Sequence, residues 1–123
     1  MQQLSMILLD SIADIDERAA GKVVVSGSHG GSSAARFVLA LAQRPRLVLF
    51  NDAGVGKDQA GLAALHMLEQ AGVAAATYSH ASARIGDAKD GLECGEISYV
   101  NALAAKAGLG PQMPVRLMLD RQA

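Results

Sequence analysis

The sequence predicts an α/β domain, a small three-layer structure with a mostly parallel sheet of four or five strands and helices on both faces. Three observations predict it. Short runs of Val, Ile and Leu recur along the chain, and segments with helical spacing separate them. Strands that alternate with helices imply βαβ units, because two parallel neighbours need a long crossover between them. The runs are continuously apolar rather than alternating, as strands buried on both faces must be.

Residues 6–9, with Leu4 ahead of them, read as a first strand that stops at Asp10 and leads into a turn. Residues 23–25 (Val-Val-Val) form a β-branched strand that ends at Ser26-Gly27. After Ser28-His29-Gly30-Gly31, either Ser32 or Ser33 caps a helix through residue 42, with Ala34, Phe37, Val38 and Leu41 on its inner face. Pro45 ends it, since the residue before a proline disfavours the helical region. Residues 47–50 (Leu-Val-Leu-Phe) are the next strand. A second helix over 57–70 turns Gly61, Ala64, Leu65 and Leu68 inward, and Gly72 stops it. Residues 73–78 form another strand, and a long polar stretch over 79–95 follows. The spacing of Ile97, Val100, Ala104 and Ala107 predicts a third helix over 96–107. Residues 114–119 read as a final strand, although Leu117 and Met118 also suit a helix. The general likeness is to small doubly wound, Rossmann-like domains, which host many unrelated functions.

Length and composition bound the rest. At 123 residues the chain makes one ordinary domain. A domain of this size buries roughly two-thirds of the surface its unfolded chain exposes, so it stands without disulfide or metal. Half of the residues are apolar and 3% are aromatic, so Val, Leu, Ile, Ala and Met must build the core. Such a core buries little apolar area per residue, which favours a homo-oligomer that covers a further face. The formal charge of −1 argues against general nucleic-acid binding, which needs a basic footprint. No apolar run approaches the ~20 residues of a membrane-spanning helix. The N-terminus lacks the basic and long apolar regions of a secretory signal. Cys94 stands alone and has no internal disulfide partner, so a reducing cytoplasm is the expected setting.

In an open parallel sheet the loops that follow strands gather at the carboxyl edge, where ligands bind, commonly at a reversal of strand order. Three such loops, residues 26–33, 51–57 and 79–95, hold two of the three histidines, the cysteine and most of the glycines. The loops after helices are short. This asymmetry locates a site without naming its reaction.

In the first loop, Gly30 and Gly31 let the backbone approach a ligand, and the amides at a helix start favour an anion. Ser28 adds a hydroxyl, and His29 is the candidate acid/base. The glycine spacing does not fit the dinucleotide fingerprint G-x-G-x-x-G. A tight strand-to-helix turn explains the same residues without any ligand. The second loop resembles a P-loop only superficially, since Asn51 replaces its first glycine and Asp58 its hydroxyl residue. Asn51 and Asp52 nonetheless sit where catalytic side chains stand, directly after a strand; an Asx turn is the structural alternative.

In the third loop, His80 is a second catalytic candidate. Arg84 suits a carboxylate or phosphate, or else an ion pair with Asp87 or Asp90. Cys94 near a helix start is a possible nucleophile, though a lone cysteine is more often a small packing residue. A metal shared by His29, His80 and Asp52 is conceivable at a sheet edge but is not predicted, and no cofactor is assigned. The expected function is binding of an anionic or carbonyl-containing metabolite at these loops, with hydrolysis or proton transfer by His29, Asp52 and His80. The alternative is a non-catalytic ligand sensor or assembly subunit.

Overall fold

The computed structural model describes residues 6–122, with side chains as far as Met118. Leu4, placed at the head of the first strand above, lies outside the described residues. Five strands, β1 (Met6–Leu9), β2 (Val23–His29), β3 (Leu47–Asn51), β4 (Ala74–Tyr78) and β5 (Ile97–Val100), form one sheet in the order β1-β2-β3-β4-β5. The first four run parallel and β5 runs antiparallel to β4. Among the described residues five α-helices accompany them: α1 (Ser32–Leu39), α2 (Ala63–Gln70), α3 (Ala88–Cys94), α4 (Ala102–Lys106) and α5 (Val115–Gln122). The mostly parallel, three-layer α/β architecture expected from the sequence is what the chain adopts.

Strand alternation divides the core in two. Val24, Val48, Phe50 and Ala75 face Ile12 and the inner sides of α1 and α2, where Ala34, Ala35, Val38, Leu65 and Leu68 are buried. Val23, Val25, Leu47, Leu49, Ala76 and Tyr78 face the other way, onto Ala83, Ala104, Leu109, Val115 and Met118. Each such Val, Leu or Phe stabilises the fold by about 1.5–3 kcal/mol relative to an exposed side chain.

The strand order never reverses. Right-handed crossovers that always step in the same direction put their connections on the same face. The turn elements after β1 and the helices α1 and α2 therefore share a layer, and the elements after β4 cover the opposite face. No strand reversal opens a crevice at the carboxyl edge, so the loops there pack on one another.

Several elements differ from expectation for identifiable reasons. The predicted helix over 96–107 is instead β5 followed by the short helix α4. Ile97, Val100, Ala104 and Ala107 do all pack into one core cluster, but a break in strand register produces the spacing. The predicted strand over 114–119 is α5, which buries Val115 and Met118 at helical spacing. Phe37 is 44% exposed, and Ala35 occupies the inner face of α1 in its place. The helix predicted over 57–70 is split. Asp58 and Gln59 lie in the left-handed region at φ 56° and 59°, so the segment Lys57–Leu62 forms 3-10 turns ahead of α2. Gly61, Ala64, Leu65 and Leu68 are buried as the stripe requires.

A candidate site at the carboxyl edge

The first loop begins inside β2. Val25 pairs with Leu49 and His29 with Asn51, so Ser26, Gly27 and Ser28 arch out of the ladder opposite Phe50 alone. Each arched residue is held. The Ser26 hydroxyl donates to the Leu49 carbonyl at 2.8 Å. Gly27 lies so close to the third loop that a Cβ would sit 2.5 Å from the Asp87 nitrogen. Ser28 Oγ accepts the Ile12 N–H at 2.9 Å.

The next residues divide between packing and solvent. Gly30 donates its N–H to the Asn51 carbonyl at 3.1 Å, and a Cβ there would meet the Gly61 carbonyl at 2.5 Å. Gly31 caps α1 without a side-chain bond. The exposed His29 ring lies over it, where a Cβ would stand 3.0 Å from Cε1. His29 also borders a small cavity of about 130 Å³ with Ser11, Ser28, Ser33 and Phe37.

Asn51 and Asp52 leave β3 on opposite faces and do different work. Asn51 is fully buried; its Nδ2 donates to the Ala83 carbonyl at 3.1 Å and its Oδ1 accepts the Ala53 N–H at 2.8 Å. It brackets the second and third loops together. Asp52 is 4% exposed. Its Oδ1 accepts the N–H of Gly54 at 2.8 Å and of His80 at 3.1 Å, and it lies 3.3 Å from the His80 Nδ1. Burial works against the Asp52 charge, yet the donors of Gly54, Ser98 and His80 hold its carboxyl below the ordinary carboxylate range.

An ionised Asp52 can only accept, so the proton of a neutral His80 ring belongs on Nδ1 and the lone pair on Nε2. The imidazole is 58% exposed above a carboxylate that is 6% exposed. Gly54, at φ 76°, lies directly beneath it, where a Cβ would touch the ring at 3.5 Å. The loop under the ring is unusual throughout, since Ala53, Val55, Asp58 and Gln59 also have positive φ. Non-glycine residues in this region are uncommon, and β-branched Val55 is a genuine outlier.

No described hydrogen bond or ion pair joins Arg84, Cys94 or His29 to this pair. Arg84 is exposed, and its backbone N–H, not its guanidinium, meets Asp90 at 2.8 Å. Cys94 is the last residue of α3 and exposed, neither at a helix start nor in the core. A hydrogen bond to Asp90 raises its thiol above the usual range. His29 makes no described hydrogen bond to Asp52 or His80. Among the described residues no three His, Cys, Asp or Glu side chains converge as metal ligands, and no helix is long and apolar enough to cross a membrane.

Sequence reasoning passed over several residues that build the edge. Asp10 Oδ1 caps α3 by accepting the Ala88 N–H at 2.9 Å, and Tyr78 donates to the Ser26 carbonyl at 2.6 Å. Burial, with Asp87, Asp90 and Asp10 nearby, raises the Tyr78 phenol so that it stays a donor. Ser98 on β5 lies with its Oγ 2.9 Å from Thr77 Oγ1. No local pattern marks these residues; their partners are distant in sequence. No family model, curated protein or solved structure matches the chain.

Proposed function

We propose that the protein binds a small anionic or carbonyl-containing metabolite at the carboxyl edge and transfers a proton to or from it through His80. The observation that carries this reading is the Asp52–His80 pair, a buried carboxylate holding an exposed imidazole by Nδ1. In that arrangement Asp52 orients and His80 reacts, because Nε2 alone has both a lone pair and access to solvent. Hydrolysis fits the same pair, with Nε2 taking a proton from attacking water. His29, Ser33 and the uncapped amides at the start of α1 supply polar groups for an anionic part of the ligand. Arg84 is an exposed cation of the third loop.

The wider setting belongs to the same proposal. The exposed Cys94 thiol fits a reducing cytoplasm, and the exposed side chains of Leu8, Phe37, Ile85, Tyr99 and Leu117 fit a homo-oligomer.

Thermal-shift screening against small carboxylates, phosphates and carbonyl compounds tests the binding, since a ligand at 100 times its Kd stabilises the native state by about 2.7 kcal/mol. For a ligand so found, His80→Ala is expected to keep binding and lose turnover. No stabilisation by any of the three classes would sink the reading. So would turnover that survives in His80→Ala. Binding without any turnover in the wild type would leave a sensor.

A further inference from the structure

The two edges of the sheet are finished differently. On the outer side of β5, Ile97 donates its N–H to the Met113 carbonyl at 2.8 Å and its own carbonyl accepts the Gln112 N–H at 2.6 Å. Glu96 also bridges to Pro114, and the register break between β4 and β5 adds a bulge. A covering segment and a bulge both keep an edge strand from pairing with another chain. At the other edge β1 pairs with β2 alone among the described residues. Every second residue of β1 therefore turns its N–H and C=O outward, and Met6–Leu9 carries no charge, proline or bulge to deter a further strand.

The layer beside β1 is open as well. Parallel strands are usually joined by a helix that covers them. Here residues 10–22 join β1 to β2 with only the 3-10 turns Ile12–Asp14 and Glu17–Ala19. They leave a groove of about 350 Å³ whose apolar lining includes Ile7, Leu9 and Ile15. Leu8, between the first two on the strand, is 40% exposed.

The charges of the groove are polarised along β1. Asp16 and Arg18 pair with each other at 2.7 Å. Asp14 and Lys22 make no ion pair among the described residues. Asp14 ends the turn at the carboxyl end of β1, where the Ile12 N–H meets Ser28 Oγ. Lys22 lies at the amino end, directly before Val23, the strand partner of Met6. A parallel copy of β1 would set like charges together, whereas an antiparallel copy sets opposite ones together. A two-fold axis normal to the sheet gives the antiparallel arrangement. It keeps each layer on its own side and turns Asp14 towards the partner's Lys22.

We propose that two copies of this chain pair β1 against β1, antiparallel, so that their sheets become continuous and their grooves merge into one apolar seam closed by Asp14 and Lys22 at each end. The proposal rests on the homo-oligomer reading above and names its interface. It does not depend on the Asp52–His80 pair.

Sedimentation velocity of the full chain over a wide range of concentration tests it. The wild type is expected to be a dimer. Leu8→Lys removes apolar burial and puts like charges across the seam, so the dimer Kd should rise by at least about tenfold. Asp14→Lys and Lys22→Asp should each raise it by roughly three- to tenfold, and the double reversal should return it to the wild-type value. Asp14 is exposed, so its reversal reads the interface without disturbing the core, and an unchanged circular dichroism spectrum certifies the fold of each variant. A dimer indifferent to Leu8→Lys and to both reversals would overturn the β1 interface and leave the oligomer reading standing. A double reversal that weakens the dimer further would overturn the antiparallel arrangement. A wild-type monomer at every concentration would overturn the homo-oligomer reading itself, and the proposal with it.

Discussion

Replacing Asn51 by Ala separates bracketing from ligand binding at a residue that sequence reasoning offers for either. The side chain is fully buried and makes two bonds, to the Ala83 carbonyl and from the Ala53 N–H. Each is worth about 1 kcal/mol net, and a buried group left unpaired costs about 1–3 kcal/mol. Ala53 is exposed, so water replaces the partner of its N–H; Ala83 is 5% exposed, so its carbonyl is left largely dry. The expected loss is therefore about 2–4 kcal/mol. With an unfolding entropy of about 2.1 cal/mol/K per residue over 123 residues, that loss lowers Tm by about 8–15 °C. Calorimetry gives Tm, and urea unfolding at an unchanged m-value gives the free energy. Native-state hydrogen exchange should show the Ala53 amide losing protection. Asn51→Asp keeps the acceptor but turns a carboxylate towards the Ala83 carbonyl, so it should be no milder. A loss under about 1 kcal/mol in Asn51→Ala, or a near-native Asn51→Asp, would refute the bracket.

Three further outcomes are expected. Gly91→Ala would bring a Cβ to 2.6 Å from Tyr78 Cζ, and Tyr78 is fully buried; overpacking of this kind costs about 1–3 kcal/mol, and an unchanged urea midpoint would contradict the packing. Asp52 titrates lower in the folded state than in the unfolded chain. Its stabilisation is thus fully present above the unfolded carboxylate value of about 3.9 and is lost as pH falls through the folded value. Urea midpoints measured across this acid range should flatten in Asp52→Asn; an identical slope in the variant would show that Asp52 contributes nothing there. The Asp90 hydrogen bond raises the exposed Cys94 thiol, so native protein should react slowly with iodoacetamide at neutral pH, and faster in Asp90→Asn. Rapid labelling indifferent to that substitution would remove the Asp90 contact from the account.

Most of the sheet was legible because its strands obey the simplest physics. Val23 to Val25 and Leu47 to Phe50 are apolar on both faces, and both faces are covered. The C-terminal third was not, because two periodicities coincide there. A strand with a bulge between Ile97 and Val100 places both side chains on one side, as a helix would with residues three apart. The continuation to Ala104 and Ala107 completes a stripe that belongs to two elements, β5 and α4. The burial of those four residues was readable; the backbone that delivers it was not. For residues 114–119, Val115 and Met118 are the buried pair, and a spacing of three was the helical signal.

The site shows the same division more sharply. That polar loops gather at one edge follows from parallel strands, and contacts such as Gly30 to Asn51, Asp52 to Tyr78 and Gly27 to Gly86 join them there. Which polar side chain does what depends on parity. Asn51 continues the alternation of Leu47 and Leu49, so it meets Ala83 in their layer; Asp52 continues Val48 and Phe50, so it leaves on the side of Thr77 and Ser98. That much can be read from strand period alone. Residue type cannot then distinguish a side chain that faces a ligand from one that ties two loops, because both are polar and both follow a strand. Ser28 Oγ, the Ser26 hydroxyl and Asn51 Nδ2 are engaged by partners 16, 23 and 32 residues away, and Asn51 Oδ1 by the Ala53 N–H two residues on. Such pairings exist only once the fold does. What separates His80 from them is that its Nδ1 is committed to Asp52 while its ring stays more than half exposed. A group held at one end and free at the other is the arrangement that a reactive side chain needs and that a bracket does not, which is why the proposed proton transfer is assigned to His80 and not to the better-buried Asn51.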